Sequence, residues 1–474
     1  MQKKFFTNLT LLILLNLLVK PIAIFGIDVA VQNRVDAENY GMYFSLLNLS
    51  LLFNIFMDIG INNFTTTQVA RYPKIASQYI HKLFSFRFIL FGVYALITLV
   101  LSYLMNYTKY EITLLSVFIF NQFLITLTSY FRSHFGGLHL FKTDALISVL
   151  DRLFLIFICG ALLLTSTTQF KIEWFLWSQT IAYACTFIIS FILLTRKIGL
   201  PKLKFNFVFS FAILKKSYPY ALLILLMMFY SRIDSVFLER IHPNGKFEAG
   251  VYAQGFRLLD AFFMFGMLFA NLLLPLFSRL LVHDKAAIAP LLKTARNLLL
   301  GGALLVATCC SFNAKIILQF IYEQNISASI PSFQYLIWGF IGMCISLIYG
   351  TLLTASGQLK VLNWISVIGI LINLSVNVVL IPKHGAAGAA IAVLFTQSIT
   401  ALAQLIYCHI KYSFAINWKE ILNYSLFIAV LLITPIILKD SVFQLYVQVS
   451  TGIIGLFLFK LIDVKEILRF LKEK

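Results

Sequence analysis

Long apolar runs separated by short clusters of charged and turn-forming residues dominate the chain. Fourteen of them are candidate helices: 5–25, 42–64, 84–104, 112–131, 145–165, 174–195, 218–238, 251–278, 297–319, 331–355, 361–381, 386–408, 421–438 and 443–462. Crossing a hydrocarbon core of ~30 Å takes roughly 20 apolar residues in helical form, which most of these runs supply. A closed barrel, the other spanning architecture, needs short strands of alternating polarity, whereas these runs are continuously apolar and about twice too long. The pattern predicts an all-α integral membrane protein of about 14 transmembrane helices.

Composition and charge sharpen this picture. A soluble globule is about half apolar and a quarter charged; here 60% of residues are hydrophobic, 12% are charged and the mean hydropathy is +0.89. A single-pass anchor on a soluble domain is excluded. The 38 Lys and Arg exceed the 19 Asp and Glu, giving +19, which in a soluble chain would raise nucleic acid as a partner. The loops give a simpler account, and no nucleic-acid partner is expected. On the amino-terminal side lie 26 loop cations, among them Arg71, Lys74, Arg87, Arg132 and the run from Arg196 to Lys216; the other side carries 7: Arg34, Lys109, Lys171, Arg240, Lys246, Lys383 and Lys439. Cytoplasmic loops hold the excess of Lys and Arg, so both termini are expected in the cytoplasm and the helix number is even. The first run opens after Lys3 and Lys4 and is followed by Lys20-Pro21 and Gly26 rather than a small-residue cleavage site, so it is read as a retained span. Cys159, Cys185, Cys309, Cys310, Cys344 and Cys408 fall in apolar stretches without metal-ligand spacing and are read as core residues, with no metal or cofactor implied.

The longest basic connection lies between the sixth and seventh runs, where a linker joining two halves belongs. The expected organisation is a six-helix lobe over 1–200, a basic cytoplasmic linker over 201–217, a second six-helix lobe over 218–410, and two added helices with a cytoplasmic tail over 411–474. Tyr40-Gly41-Met42-Tyr43 resembles Ala249-Gly250-Val251-Tyr252 at an offset of 209, while Gly137 and Lys142 resemble Gly357 and Lys360 at offsets of 220 and 218. These matches fall at equivalent loops, as in a duplicated transporter half. Six helices return the chain to its starting side, so the halves would be parallel repeats about an axis along the membrane normal.

No segment between the helices can hold a nucleotide-binding domain, and no phosphate loop, HExxH or paired-carboxylate motif occurs, so enzymatic chemistry is unsupported. Five basic and four acidic residues remain at membrane depth: Lys20, Arg152, Arg232, Arg257 and Lys315, with Asp58, Asp151, Asp234 and Asp260. An ionised group there must face a wet cavity, pair, or snorkel from a helix end. Snorkelling is the plain account of Lys315 and Arg152, and Asp151-Arg152 can share a polar helix end. Arg257 and Asp260 share a helix face, either as a self-satisfied pair or as a cation presented to a cavity and tuned by its neighbour. Arg232 and Asp234 are two apart and point in different directions. Lys20 precedes Pro21, a kink-forming residue. Asp58, beside Ile59-Gly60, is either an ion-coupling carboxylate or a partner for Lys20.

Three stretches carry a family resemblance: Glu38-Asn39-Tyr40-Gly41-Met42-Tyr43 followed by Asp58-Ile59-Gly60-Ile61; Arg232-Ile233-Asp234 leading to Ala249-Gly250-Val251-Tyr252 and Phe256-Arg257-Leu258; and the Gly-Ala-rich stretch Pro382-Lys383-His384-Gly385-Ala386-Ala387-Gly388-Ala389-Ala390. Over essentially its whole length the sequence resembles the multidrug/oligosaccharidyl-lipid/polysaccharide (MOP) flippase superfamily, and within it the Wzx-type O-antigen and exopolysaccharide repeat-unit flippases. The resemblance implies an inverted-V transporter that moves an undecaprenyl-diphosphate-linked oligosaccharide from the cytoplasmic to the outer leaflet of the bacterial plasma (inner) membrane by alternating access. Lys20, Arg232 and Arg257 are the expected contacts to the diphosphate, since Arg supplies bidentate donors to phosphate. Asp58, Asp234 and Asp260 are the expected ion-coupling carboxylates, with either a proton or a sodium gradient as the energy source. The two carboxy-terminal helices resemble those that form a polyprenyl groove in lipid II flippases. A polysaccharide polymerase and a chain-length regulator are the implied protein partners, besides membrane lipids. The alternatives are a lipid II flippase and a drug/cation antiporter of the same superfamily; the slightly cationic intramembrane set argues against the antiporter.

Overall fold

A computed structural model describes residues 14–72, 76–165, 170–201, 207–414, 417–438 and 443–462. The start of the first run, residues 202–206 of the expected linker, and the loop cations Lys3, Lys4, Lys74, Lys202, Lys204, Lys439, Lys465, Arg469, Lys472 and Lys474 lie outside the described residues. Among those described, all regular structure is helical, and eleven helices are long and apolar enough to cross a membrane, or twelve when the bent pair Ala37–Leu52 and Asn54–Arg71 counts as one span. The protein is thus an all-α, multi-pass membrane protein. Two features account for the smaller number. Runs 361–381 and 386–408 fall in one continuous stretch, Leu359–Tyr412, that is counted once, yet they are two helices meeting at a kink at Gly385, whose φ of 51° and ψ of −128° suit a residue without Cβ. The last run yields only Gln444–Leu458, 15 residues, or about 22 Å at 1.5 Å per residue.

The chain divides into two compact units, the first comprising Met1–Arg240 with Asn244–Gly250 and the second Ile241–Pro243 with Val251–Lys474. In the first unit, α1 (Leu14–Arg34) contains a π-helical stretch, Ile22–Asp28, that begins directly after Pro21. Pro21 lacks an N–H, and a wider turn accommodates the missing hydrogen bond. Asp36 caps α2 (Ala37–Leu52) by accepting from the Asn39 N–H at 2.8 Å. There follow α3 (Ile61–Arg71), α4 (Ala76–Leu104), α5 (Lys109–Gly137), α6 (Phe141–Thr165), α7 (Ile172–Ile198) and α8 (Phe207–Ile241). Thr108 and Glu111 form a capping box that starts α5. This helix is the central post, packing on α2, α3, α4, α6 and α7. Small residues permit the closest approaches. A Cβ on Gly41 would lie 1.8 Å from Lys246 O, and one on Gly250 would lie 2.1 Å from Ala37 O, so the start of α2 meets the first turn of α9 (Gly245–His283) backbone to backbone. The two glycines paired by the internal resemblance are therefore packed against each other.

The second unit holds the remainder of α9, then α10 (Ile288–Phe312), α11 (Ala314–Ile321), α12 (Ile326–Ala355), α13 (Leu359–Tyr412), α14 (Trp418–Ile437) and α15 (Gln444–Leu458). Run 297–319 is broken at Asn313, whose side chain donates to Gln448 Oε1 at 2.9 Å on α15. The two last helices are fastened to α10. Phe427, Leu431 and Leu456 pack with Leu304, Glu420 takes Lys293 at 3.0 Å together with Arg296, and Tyr424 donates to Asn297 Oδ1 at 2.9 Å. In a lipid setting, where apolar packing between helices has no hydrophobic drive, such polar bonds help to select the pairing.

Candidate functional site

A cluster of half-buried charges lies in the first unit. Asn16 Nδ2 donates to Ser148 Oγ at 3.0 Å and ties α1 to α6, bringing Lys20 within electrostatic range of Arg152, Asp151 and Arg132. Arg132 on α5 bonds Asp144 at 2.6 Å, whereas Arg152 and Asp151, neighbours on α6, are 3.7 Å apart. Asp28, at the end of the π-helical stretch, accepts from Tyr40 OH at 2.7 Å and lies within electrostatic range of Arg152. A cavity of about 80 Å³ opens among Thr128, Ser129, Arg132, Ser148, Asp151 and Tyr183. That is room for several water molecules. The 3.7 Å pair is too long for a hydrogen bond, so the Arg152–Asp151 contact is an ion pair without one, and Tyr183 and Asp28 also lie within electrostatic range of Arg152. Arg132 and Asp151 line this pocket, and Lys20 and Arg152 lie within electrostatic range of them.

The other expected site residues fall elsewhere in the sequence of contacts. Asp58 does not pair with Lys20. It bonds Arg87 Nη2 at 2.9 Å, and Arg87, assigned to a loop by the charge count, is 1% exposed inside α4. Asp58 also accepts from the Asn62 N–H at 3.1 Å, capping α3. Its charge therefore has a structural task. Arg232 and Asp234 lie on α8, which is tied to α2 by a bond from Ser45 Oγ to Ser235 O at 2.8 Å; Arg232 is half-buried and Asp234 is 1% exposed. Arg257 and Asp260 lie one turn apart on α9 in the second unit, both half-buried. Lys315 on α11 is exposed, as a snorkelling residue would be. Arg152 lies eleven residues, about three turns, after Phe141, the first residue of α6. It sits deeper than the helix end at which snorkelling was expected.

Sequence reasoning missed Arg87 and Arg132 as members of buried clusters. Arg87 falls inside run 84–104 but was counted with the loop cations; run 112–131 ends just before Arg132, while α5 continues to Gly137. The available signal was the acid twelve positions on, Asp144, a partner of opposite charge across a short turn.

A second charged cluster lies where α5 begins and α8 ends. Glu111 takes Lys246 at 2.7 Å and Arg240 at 3.5 Å; Arg240 also contacts Glu239 at 3.2 Å and stacks 3.5 Å from the centre of the Tyr107 ring. Tyr107 OH donates to Glu239 at 2.9 Å. Burial, and then the Glu239 charge, push the Tyr107 phenol well above its ordinary pKa, which keeps that proton in place. Both carboxylates are almost fully buried and each has a cation, so the cluster is a closed network rather than an open binding site.

The family model described as "Polysaccharide biosynthesis protein" matches residues 5–281, and the MatE model matches residues 219–379. No curated protein matches the chain. Among solved structures, the lipid II flippase MurJ in an inward closed conformation is similar with a TM-score of 0.72 at 15% identity, covering 95% of this chain and 98% of that one. An inward-facing multidrug resistance MATE family transporter of the MOP superfamily gives 0.66 at 13% identity, with coverages of 82% and 94%. A MOP superfamily transporter from Pyrococcus furiosus, described as having a binding pocket of reverse polarity, gives 0.59 at 13% identity over 86% and 94%. These likenesses establish the fold. With the family model matching more than half of the sequence, the chain belongs to the polysaccharide biosynthesis protein family, and its fold is that of the MOP superfamily transporters it resembles.

Proposed function

We propose that the protein flips an undecaprenyl-diphosphate-linked oligosaccharide repeat unit, of O-antigen, capsule or exopolysaccharide, from the cytoplasmic to the outer leaflet of the bacterial plasma membrane. The observation that carries this reading is the set of cations Lys20, Arg132 and Arg152 inside the first unit, one of them held to its carboxylate at only 3.7 Å. A diphosphate brings two or more negative charges, and charge-assisted bonds to it are stronger than neutral ones. Lys20 is the expected first contact, with Arg232 and Arg257 as further headgroup ligands. The membership in a polysaccharide biosynthesis family supports a glycan-bearing lipid as cargo. In this reading the lobes 1–200 and 218–410 are the moving bodies, both termini are cytoplasmic, and a proton or sodium gradient drives the cycle through Asp234 or Asp260. Asp58 is the weakest of the three coupling candidates because Arg87 already engages it. A polymerase and a chain-length regulator would receive the product.

A lipid II flippase is the second reading, favoured by the likeness to MurJ over 95% of the chain. Both readings need cations for a diphosphate and differ in the glycan. Liposomes containing the purified protein, loaded separately with a lipid-linked repeat unit and with lipid II, decide between them by the appearance of glycan at the far leaflet. Movement of lipid II alone would refute the repeat-unit reading. Movement of neither, together with gradient-driven efflux of an organic cation, would refute both.

A further inference from the structure

The second apolar run is broken at a place where the backbone is strained. Between α2 and α3 lie a 3₁₀ turn, Asn54–Met57, and a bend of 44°. Ile59 adopts φ +41° and Gly60 φ +79°. The left-handed region is natural for glycine and unfavourable for a β-branched residue, so the surroundings must hold Ile59 there. The break also frees backbone groups. Ile61 N–H bonds to Asp58 O, three residues back, at 2.9 Å, leaving Met57 O without its helical donor.

Arg87 supplies what the break has lost. Its Nη1 donates to Met57 O at 3.0 Å, and Nη2 donates to Asp58 Oδ1 at 2.9 Å and to Asn62 Oδ1 at 2.6 Å. The guanidinium lies 4.5 Å from the centre of the Tyr130 ring on α5, and the side chain is fully buried. A single cation therefore grips the last residue of the 3₁₀ turn, the cap of α3 and the second residue of α3. Both arms of the break pack on α5, and each also has contacts of its own. On one arm, Ser45 of α2 bonds Ser235 O of α8, and Gly41 abuts Lys246 and Gly250. On the other, Thr66 of α3 donates to Ser133 O of α5 at 3.2 Å, and Val69 leaves no room for a Cβ at Gly137.

We propose that Arg87 is the positioning residue of a hinge in the second span, holding residues 54–60 bent so that α2 and α3 keep different directions and can change their angle during translocation. The inference rests on the flippase reading for its transport arm and on geometry alone for its structural arm. A buried cation left without its carboxylate is costly, whereas replacing both partners by uncharged groups of similar size is tolerated. The informative variant is thus the double substitution Asp58→Asn with Arg87→Met, which removes the clamp without stranding a charge.

Spin labels at Glu38 and Thr67, both exposed, on a background with the native cysteines replaced by alanine, report the bend in the full-length protein in lipid nanodiscs. Straightening a 44° bend lengthens the separation by about 3 Å at 1.5 Å per residue. The double variant is expected to fold, to show a longer or broader distance distribution, and to translocate lipid-linked oligosaccharide at least tenfold more slowly. Arg87→Lys keeps the charge but has no rigid fork, and it should fall between the two; should the double variant not fold, it carries the test. An unchanged distance distribution together with a wild-type translocation rate in the folded variant overturns the proposal. So does a lost rate with an unchanged bend, which makes Arg87 something other than a hinge clamp. A wild-type protein that moves no lipid-linked oligosaccharide refutes the flippase reading, while the distance measurement still decides the hinge.

Discussion

The contact between α2 and α9 can be tested by adding one methyl group. A Cβ on Gly41 would stand 1.8 Å from Lys246 O and 2.5 Å from Gly250 N, both backbone atoms. Real Cβ contacts do not fall below 3.0 Å, so the two backbones must part by at least about 1.2 Å at this point. No side-chain rotation relieves the clash. Overpacking of this kind costs about 1–3 kcal/mol, which corresponds to roughly a 5- to 150-fold shift between the packed and parted arrangements of this end. Gly92 on α4 provides the control, since nothing lies within 4 Å of its added Cβ. There alanine should be neutral or stabilising by up to about 1 kcal/mol, from helix propensity alone. The assay is reaction of a membrane-impermeant thiol reagent with a cysteine placed at Ala37, whose carbonyl faces Gly250, combined with thermal unfolding in detergent. Gly41→Ala should raise the labelling rate and lower the melting temperature, and Gly92→Ala should do neither. Equal labelling and equal melting in the two variants would refute the backbone contact and the account of the internal resemblance that rests on it.

Replacing Lys20 or Arg152 with alanine should reduce translocation at least tenfold while leaving the protein in the membrane, and Lys20→Arg should retain most of it, as read by far-leaflet glycan in liposomes; wild-type rates in both alanine variants would remove the cluster from the site. Tyr107→Phe removes the donor to the buried Glu239 carboxylate and should cost about 1–3 kcal/mol of stability, measured by thermal unfolding. Glu420→Ala frees both Lys293 and Arg296 and should loosen α14 from α10, visible as faster proteolysis within 411–420, with little effect on headgroup binding.

Much of the architecture was legible in the chain itself. Apolar runs too long for strands, with cations concentrated in alternate loops, leave a multispanning helical protein as the physical solution, because backbone polar groups in lipid must be satisfied within the segment. The resemblance of residues 40–43 to 249–252 likewise marked two positions that must be small. Helix continuity was less accessible. Asn313 interrupts an apolar run, which hydrophobicity did not register, whereas the kink at Gly385 falls between two of the expected runs. Site membership was the least visible. Arg132 looked like a loop cation because its run ends at 131, and Arg87, though inside run 84–104, was counted with the loop cations near that run's start; only packing of α4 and α5 against their neighbours showed Arg87 to be buried and Arg132 half-buried, each beside a carboxylate. The sequence determined that charges had to be accommodated inside the apolar bundle, since its long apolar runs contain them, but its count left out the buried Arg87. Which cation meets which carboxylate was decided by tertiary structure, because pairing depends on distances of a few ångströms between helices remote in sequence.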